Sequence, residues 1–188
     1  MNGVKEGRLN GFRSYLVGPI DRCPDGGVGW RRDICHFLRG IGVAPLDPTN
    51  KPIDTELEDE EHIVMRKQLK ADGKFDEAAA IMKRIRAIDL RMCDLCDFVV
   101  GHLDLNIFAC GTLEEIFWCN RMKKPILVHV EQGKENVPDW LLGVLPHSHI
   151  FGSWYDLKQY ILHVHVAEKV DHMKRWCFLD YKRLEHVL

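Results

Sequence analysis

Phe98-Val99-Val100-Gly101-His102-Leu103-Asp104-Leu105-Asn106-Ile107-Phe108-Ala109-Cys110-Gly111-Thr112-Leu113-Glu114-Glu115 holds a strand, a loop and a helix start in one stretch. Its first six residues form an almost continuous apolar run, which suits a strand covered on both faces. Gly111-Thr112 opens a helix over Thr112–Met122 that places Leu113, Ile116, Phe117 and Asn120 along one side, with Pro125 just past its end. Four more apolar, β-rich runs occur at Phe12–Val17, Gly42–Leu46, Ile126–Val130 and His149–Phe151. Helical stretches fall between them. Trp30–Arg39 carries Ile34, Phe37 and Leu38 and stops at Gly40, and Ser153 is a good N-cap for a long helix through Trp154, Leu157, Ile161 and Val164. Alternation of this kind implies an α/β protein, a Rossmann-like three-layer sandwich in which a five-stranded parallel sheet is covered by helices on both faces. Open sheets of that type bind ligands at the carboxyl ends of their strands, where the strand order reverses.

Residues 47 to 97 enlarge the plan. Asp47-Pro48-Thr49-Asn50-Lys51-Pro52 is followed by an acidic patch, then by helical sequence that Asp72-Gly73-Lys74 divides into about Asp59–Ala71 and Phe75–Leu95. Most of these charges read as a solvated helix face. No repeat, low-complexity tract or linker is visible, so residues 1–188 read as one domain, with a core over about 12–155 and a C-terminal helical extension over about 156–188.

Composition excludes several classes. Of 188 residues, 46% are apolar and 29% charged, which is globular and not disordered composition. Lys and Arg total 26 against 28 Asp and Glu, a net charge of −2, so there is no electrostatic case for a nucleic-acid binder. No apolar run reaches the roughly 20 residues of a membrane span, and the first ten residues lack a signal-peptide core. The expectation is a soluble, cytoplasmic protein. Seven cysteines without a secretory signal argue against a disulfide framework. Cys93-x-x-Cys96 has no second ligand pair at zinc-site spacing, so buried free thiols are expected. His163 and His165 point to different helix faces, and His102 and His129 read as core residues within strands. The sequence signals neither metal nor cofactor.

Two strand-to-helix junctions can hold chemistry. Tyr15-Leu16-Val17-Gly18-Pro19-Ile20-Asp21 runs a strand into Gly-Pro, and the loop continues through Gly26-Gly27-Val28-Gly29. Glycine there allows close approach to a ligand, phosphate included, but neither GxGxxG nor GxxxxGK[ST] is present. At the second junction, Glu114 and Glu115 fall near a helix start, where a carboxylate stays ionised beside the positive end of the backbone dipole. An ionised carboxylate aimed into a cleft can attack a sugar carbon.

Taken together, Tyr15-Leu16-Val17-Gly18-Pro19-Ile20, the segment Asp89-Leu90-Arg91-Met92-Cys93-Asp94-Leu95-Cys96-Asp97, and Gly111-Thr112-Leu113-Glu114-Glu115 followed by Lys124-Pro125-Ile126 resemble the nucleoside 2-deoxyribosyltransferase family in order and spacing. The resemblance implies a flavodoxin-like sheet and a pentosyltransferase or related N-glycosidase of nucleotide salvage. On this likeness, Glu115 attacks the anomeric carbon of a 2′-deoxyribonucleoside, the base leaves a glycosyl-enzyme ester, and a second base takes the sugar. Tyr15 matches the tyrosine that orients the nucleophile, and Asp89 matches the aspartate that faces the base. Gly18, Pro19, Ile20, Asp21, Gly111 and Thr112 are expected at the substrate. Trp30 is a candidate to stack on the base or else a core anchor, and Arg31 a candidate for a phosphate or a base carbonyl or else solvated.

One departure bears on substrate. The family's transferases carry an aspartate six residues before the nucleophile, and relatives that hydrolyse nucleoside monophosphates tend to have serine there. This chain has Ala109, leaving Asp104 or Asn106 as substitutes on the same loop. The alternatives are therefore an N-glycoside hydrolase of a nucleoside 5′-monophosphate or modified nucleotide, and a silent nucleotide-binding module. The resemblance also implies a small-molecule substrate, a free nucleobase and a homodimer or larger homo-oligomer, with no nucleic-acid polymer, membrane or cofactor involved.

Overall fold

A computed structural model describes residues 7–51, 60–167 and 175–178. The strands are β1 (Arg13–Val17), β2 (Ala44–Leu46), β3 (Phe98–Leu103), β4 (Ile126–Val130) and β5 (Ile150–Phe151). They form one parallel sheet in the order β2-β1-β3-β4-β5. The helices are α1 (Val28–Gly40), α2 (Glu60–Ala71), α3 (Phe75–Leu95), α4 (Cys110–Arg121), α5 (Asp139–Val144) and α6 (Trp154–Val166).

Side-chain alternation along the strands splits the core in two. Tyr15, Val17, Val99, Ile126 and Val128 face α3, α4 and α5, where they meet Met92, Cys93, Ile116, Cys119 and Leu141. Leu16, Phe98, Val100 and Leu127 face α1 and α6, where they meet Ile34, Leu38, Leu157, Ile161 and Trp176. β4 is buried along its whole length, as a central parallel strand covered on both sides must be. β2 is an edge strand and carries Pro45, whose missing N–H costs nothing on the open side.

The expected elements are present, with shifted ends. The break at Asp72-Gly73-Lys74 separates α2 from α3, with Gly73 at φ 72°. The Ser153 hydroxyl accepts the Asp156 N–H at 3.2 Å and caps α6. α4 starts at Cys110 rather than Thr112, and its buried face is Thr112, Ile116 and Cys119; Phe117 lies on the exposed side. α5 was not expected; its only local signal is Pro138-Asp139 at its start.

The C-terminal extension departs from expectation. α6 ends at Val166, Ala167 is extended, and residues 175–178 are not helical: Trp176 packs on the α1/α6 face of the sheet. The rest of the proposed extension lies outside the described residues, as does Asp59.

Lys124 explains one of the sequence signals. Its ammonium donates to the carbonyls of Cys93, Asp94 and Cys96 at 2.5, 2.7 and 2.6 Å, satisfying the open C-terminal end of α3. The described cysteines are free thiols. Cys93, Cys96 and Cys119 are buried together, and thiol–thiol hydrogen bonding and burial push Cys96 and Cys119 up, away from the thiolate form.

Candidate active site

The strand order reverses between β1 and β3, since β1 turns back to β2 while β3 continues to β4 and β5. A cavity of about 420 Å³ opens there, walled by the Gly18-Pro19-Ile20-Asp21 turn, one face of α3 and the start of α4. At that point Tyr15 and Glu115, 100 positions apart in sequence, meet: the Tyr15 hydroxyl donates to Glu115 Oε1 at 2.7 Å. Tyr15 is fully buried. Burial, and then the charges of Glu115 and Asp89, hold its phenol well above the usual tyrosine range, so it remains a neutral donor.

The helix-start argument for Glu115 does not hold. With α4 beginning at Cys110, neither glutamate lies in the first turn, and the Tyr15 hydroxyl is what orients Glu115. Glu114 turns aside to Arg86, whose Nε donates to its two oxygens at 2.8 and 3.0 Å and holds its carboxyl below the usual carboxylate range.

Asp89 lines the cavity from α3 and pairs with Lys51, whose Nζ lies 2.7 Å from Asp89 Oδ1. Both side chains are about nine-tenths buried, at 7% and 11% exposure, so the charges face each other with little solvent screening. Asp21 lines the mouth and accepts from Arg66 Nη2 at 2.8 Å. Apolar walls come from Met82, Ile85, Leu90, Ile107 and Phe108, the last 70% exposed. The sequence did not single out these five, nor Lys51, Arg66 or Arg86. Their positions at α3 spacing (82, 85, 86, 89) are the only signal that could have linked them to Asp89.

The structure brings Tyr15, Glu115, Asp89, Gly18, Pro19, Ile20, Asp21, Gly111 and Thr112 to this cavity, Tyr15 through its bond to Glu115 and the others as lining. Four candidates lie elsewhere. Trp30 does not line it; its ring stacks on Trp154 at 5.4 Å on the other face of the sheet. Arg31 is fully buried and donates to the carbonyls of Leu16, Gly18, Pro19 and Gly27, with Asp47 at 3.8 Å. Its guanidinium therefore braces the cavity floor from behind, with its donors taken up by protein carbonyls. Asp104 accepts from the Asn106 N–H and from Gln132, so the two stabilise their own loop and neither lines the cavity.

The glycine-rich turn does not cradle a phosphate either. Asp25 accepts the N–H groups of Gly27 and Gly29, each at 2.9 Å, and so occupies the start of α1 itself. Gly27 sits at φ 70°, and a Cβ there would strike the Pro19 carbonyl, so the turn requires glycine. At Gly18 a Cβ would lie 2.8 Å from the Trp30 ring and 3.2 Å from the His102 carbonyl.

Arg31→Met is expected to cost at least about 3 kcal/mol, because it strips the partner from several buried carbonyls and from Asp47. Urea unfolding checks this, and a loss below about 1 kcal/mol would refute the bracing role.

These features define an open parallel-sheet α/β protein with a phenol–carboxylate pair at its switch point. By sequence, no protein-family model and no curated protein matches the chain. By structure it is similar to the 2-deoxyribosyltransferase of Bacillus psychrosaccharolyticus, at 17% identity and TM-score 0.57, covering 84% of this chain and 99% of that one. It is similar also to the 2-desoxiribosyltransferase of Leishmania mexicana, at 19% identity and TM-score 0.54, covering 82% and 99%. A CMP N-glycosidase of Clostridium botulinum aligns more loosely, at 15% identity and TM-score 0.46, covering 79% and 97%. The chain thus has the fold of the two deoxyribosyltransferases. Among the described residues, no helix is long and apolar enough to cross a membrane.

Proposed function

We propose that this chain is a nucleoside 2-deoxyribosyltransferase-like enzyme that cleaves the N-glycosidic bond of a 2′-deoxyribonucleoside and passes the sugar to another base. The observation that carries the reading is the 2.7 Å bond from the buried Tyr15 hydroxyl to Glu115 at the cavity wall. It orients the Glu115 carboxylate, whose other oxygen is the attacking atom. The electron pair of that oxygen forms the bond to the anomeric carbon, while the glycosidic pair departs with the base. Asp89, with Lys51 beside it as counter-charge, faces the departing base and offers the polar contact through which the base is protonated as the bond breaks. A second base, or water, then attacks the anomeric carbon and releases Glu115; two inversions give net retention. Gly18 and Pro19 line the cavity at the end of β1, where the sugar would lie. Assembly as a homodimer or larger homo-oligomer, a cytoplasmic location and a place in nucleotide salvage belong to the same proposal and rest on the resemblance.

A second reading has its own support. Arg22 lies on the cavity lining, and Ala109 puts no carboxylate on the α4 side. A cationic group without that carboxylate suits a 5′-phosphate, and so hydrolysis of a nucleoside 5′-monophosphate.

Incubation with deoxyuridine and free adenine tests the first reading, and incubation with dUMP the second. Deoxyadenosine is the expected product. Uracil with free sugar phosphate, from dUMP alone, would replace transfer by hydrolysis. No cleavage of either substrate would leave only a binding module.

A further inference from the structure

A second cluster lies on the opposite face of the sheet, and none of its members lines the nucleoside cavity. His102 on β3 and His129 on β4 are register partners in adjacent parallel strands, so their side chains leave the same face side by side. Their Nδ1 atoms are 3.0 Å apart. Glu131 follows His129 by two residues, and the backbone continues the ladder there, its N–H donating to the Leu103 carbonyl at 2.9 Å. Period-two alternation therefore returns the Glu131 carboxylate to the side of the imidazoles. The three potential ligand atoms all lie within 4.8 Å of one another.

We infer that His102, His129 and Glu131 form a binding site for a zinc-class divalent transition metal, separate from the nucleoside cavity. Ligand atoms around tetrahedral zinc, at bonds of about 2.0–2.1 Å, are about 3.3 Å apart. The two imidazole nitrogens are 3.0 Å apart and no ligand atom is more than 4.8 Å from another, so side-chain rotations can close the shell. Two imidazoles and one carboxylate suit zinc, cobalt or nickel far better than magnesium or calcium, which take all-oxygen shells. The set leaves at least one coordination position open to water.

The surroundings fix the imidazoles in place. The Trp154 ring stacks on His129 at 4.3 Å, and Trp30 lies 5.4 Å from His102, so the indoles restrict the imidazole planes. The simpler account is that the two imidazoles only hydrogen-bond to each other, which the following test decides.

Chelator-treated, reduced full-length protein is titrated with zinc by calorimetry, and with cobalt and nickel by absorption and tryptophan emission. One equivalent should bind in the micromolar range or tighter. Cobalt should show a d–d spectrum without a thiolate charge-transfer band, and nickel should quench tryptophan through Trp154. Glu131→Gln, an exposed position that leaves the core intact, should weaken binding by about 10–100-fold, and His129→Gln by at least about 100-fold. Thermal unfolding of each variant separates lost ligation from lost structure. Absence of stoichiometric uptake, unchanged affinity in Glu131→Gln, or a thiolate band placing the metal at the cysteines would each overturn the assignment.

Discussion

Glu115→Ala is expected to lower the rate of glycosidic cleavage by about 10⁴-fold or more while the protein stays folded, at a stability cost of about 1–3 kcal/mol for the buried Tyr15 hydroxyl that loses this acceptor. The carboxylate supplies the bond that replaces the departing base, and the other carboxylates on the cavity wall are paired with cations: Asp21 with Arg66, Asp89 with Lys51 and Glu114 with Arg86. Glu114, one residue earlier, also lines the cavity, but its carboxylate is tied to Arg86. Glu114→Ala should therefore retain most activity, and the contrast between neighbours is the test. Trapping of a glycosyl ester with a slow 2-fluoro substrate, located on Glu115 by peptide mass spectrometry, provides an independent check. Equal losses in the two variants, or an ester elsewhere, would remove Glu115 from the mechanism.

Asp89→Asn should reduce cleavage by about 10²–10⁴-fold, the range for losing a positioned proton-transfer group. The loss should be greatest for bases that leave poorly without protonation. Lys51→Met should disturb the same leaving-base series, because the Lys51 ammonium is the buried counter-charge 2.7 Å from the Asp89 carboxylate. Both substitutions leave a charge in low dielectric without its nearest counter-charge, so each also costs about 3–5 kcal/mol of stability. The leaving-base series separates the two effects. A purely structural role would slow good and poor leaving groups alike, and a flat series would reject Asp89 as the group facing the base.

Much of the fold was legible in the linear sequence, and the reasons are local. Apolar runs of strand length, the break at Gly73 and the Ser153 cap each depend on residues within a few positions of one another. Periodicity and turn chemistry therefore report them directly. Boundaries were less secure where tertiary contacts decide them. Asp25 reaches over Gly27 and Gly29 and starts α1 at Val28, two residues before the apolar stripe suggests.

The site was legible in a different way. Tyr15, Asp89 and Glu115 could be named from motif order, yet nothing in their spacing says that Tyr15 and Glu115 touch. Trp30 and Arg31 are instructive because their residue types suit a ligand equally well. The turn of α1 places Arg31 in line with Ile34, Cys35 and Leu38 on the buried face, where the carbonyls of the first strand-to-helix turn take its protons. An arginine there reads as solvated or ligand-binding until the opposing backbone is in place.

The sequence by itself determined the order of strands and helices, their breaks, and the residue types available for chemistry, since these follow from side-chain periodicity and backbone preference. Only the tertiary structure decided which distant residues become partners: Tyr15 with Glu115, Lys51 with Asp89, and His102 with His129. The physical reason is strand order. Placing β3 beside β1, across the intervening α1, β2, α2 and α3, sets contacts between positions tens of residues apart. That choice is made by burying both faces of the whole sheet at once, a global condition that no short stretch of the chain encodes.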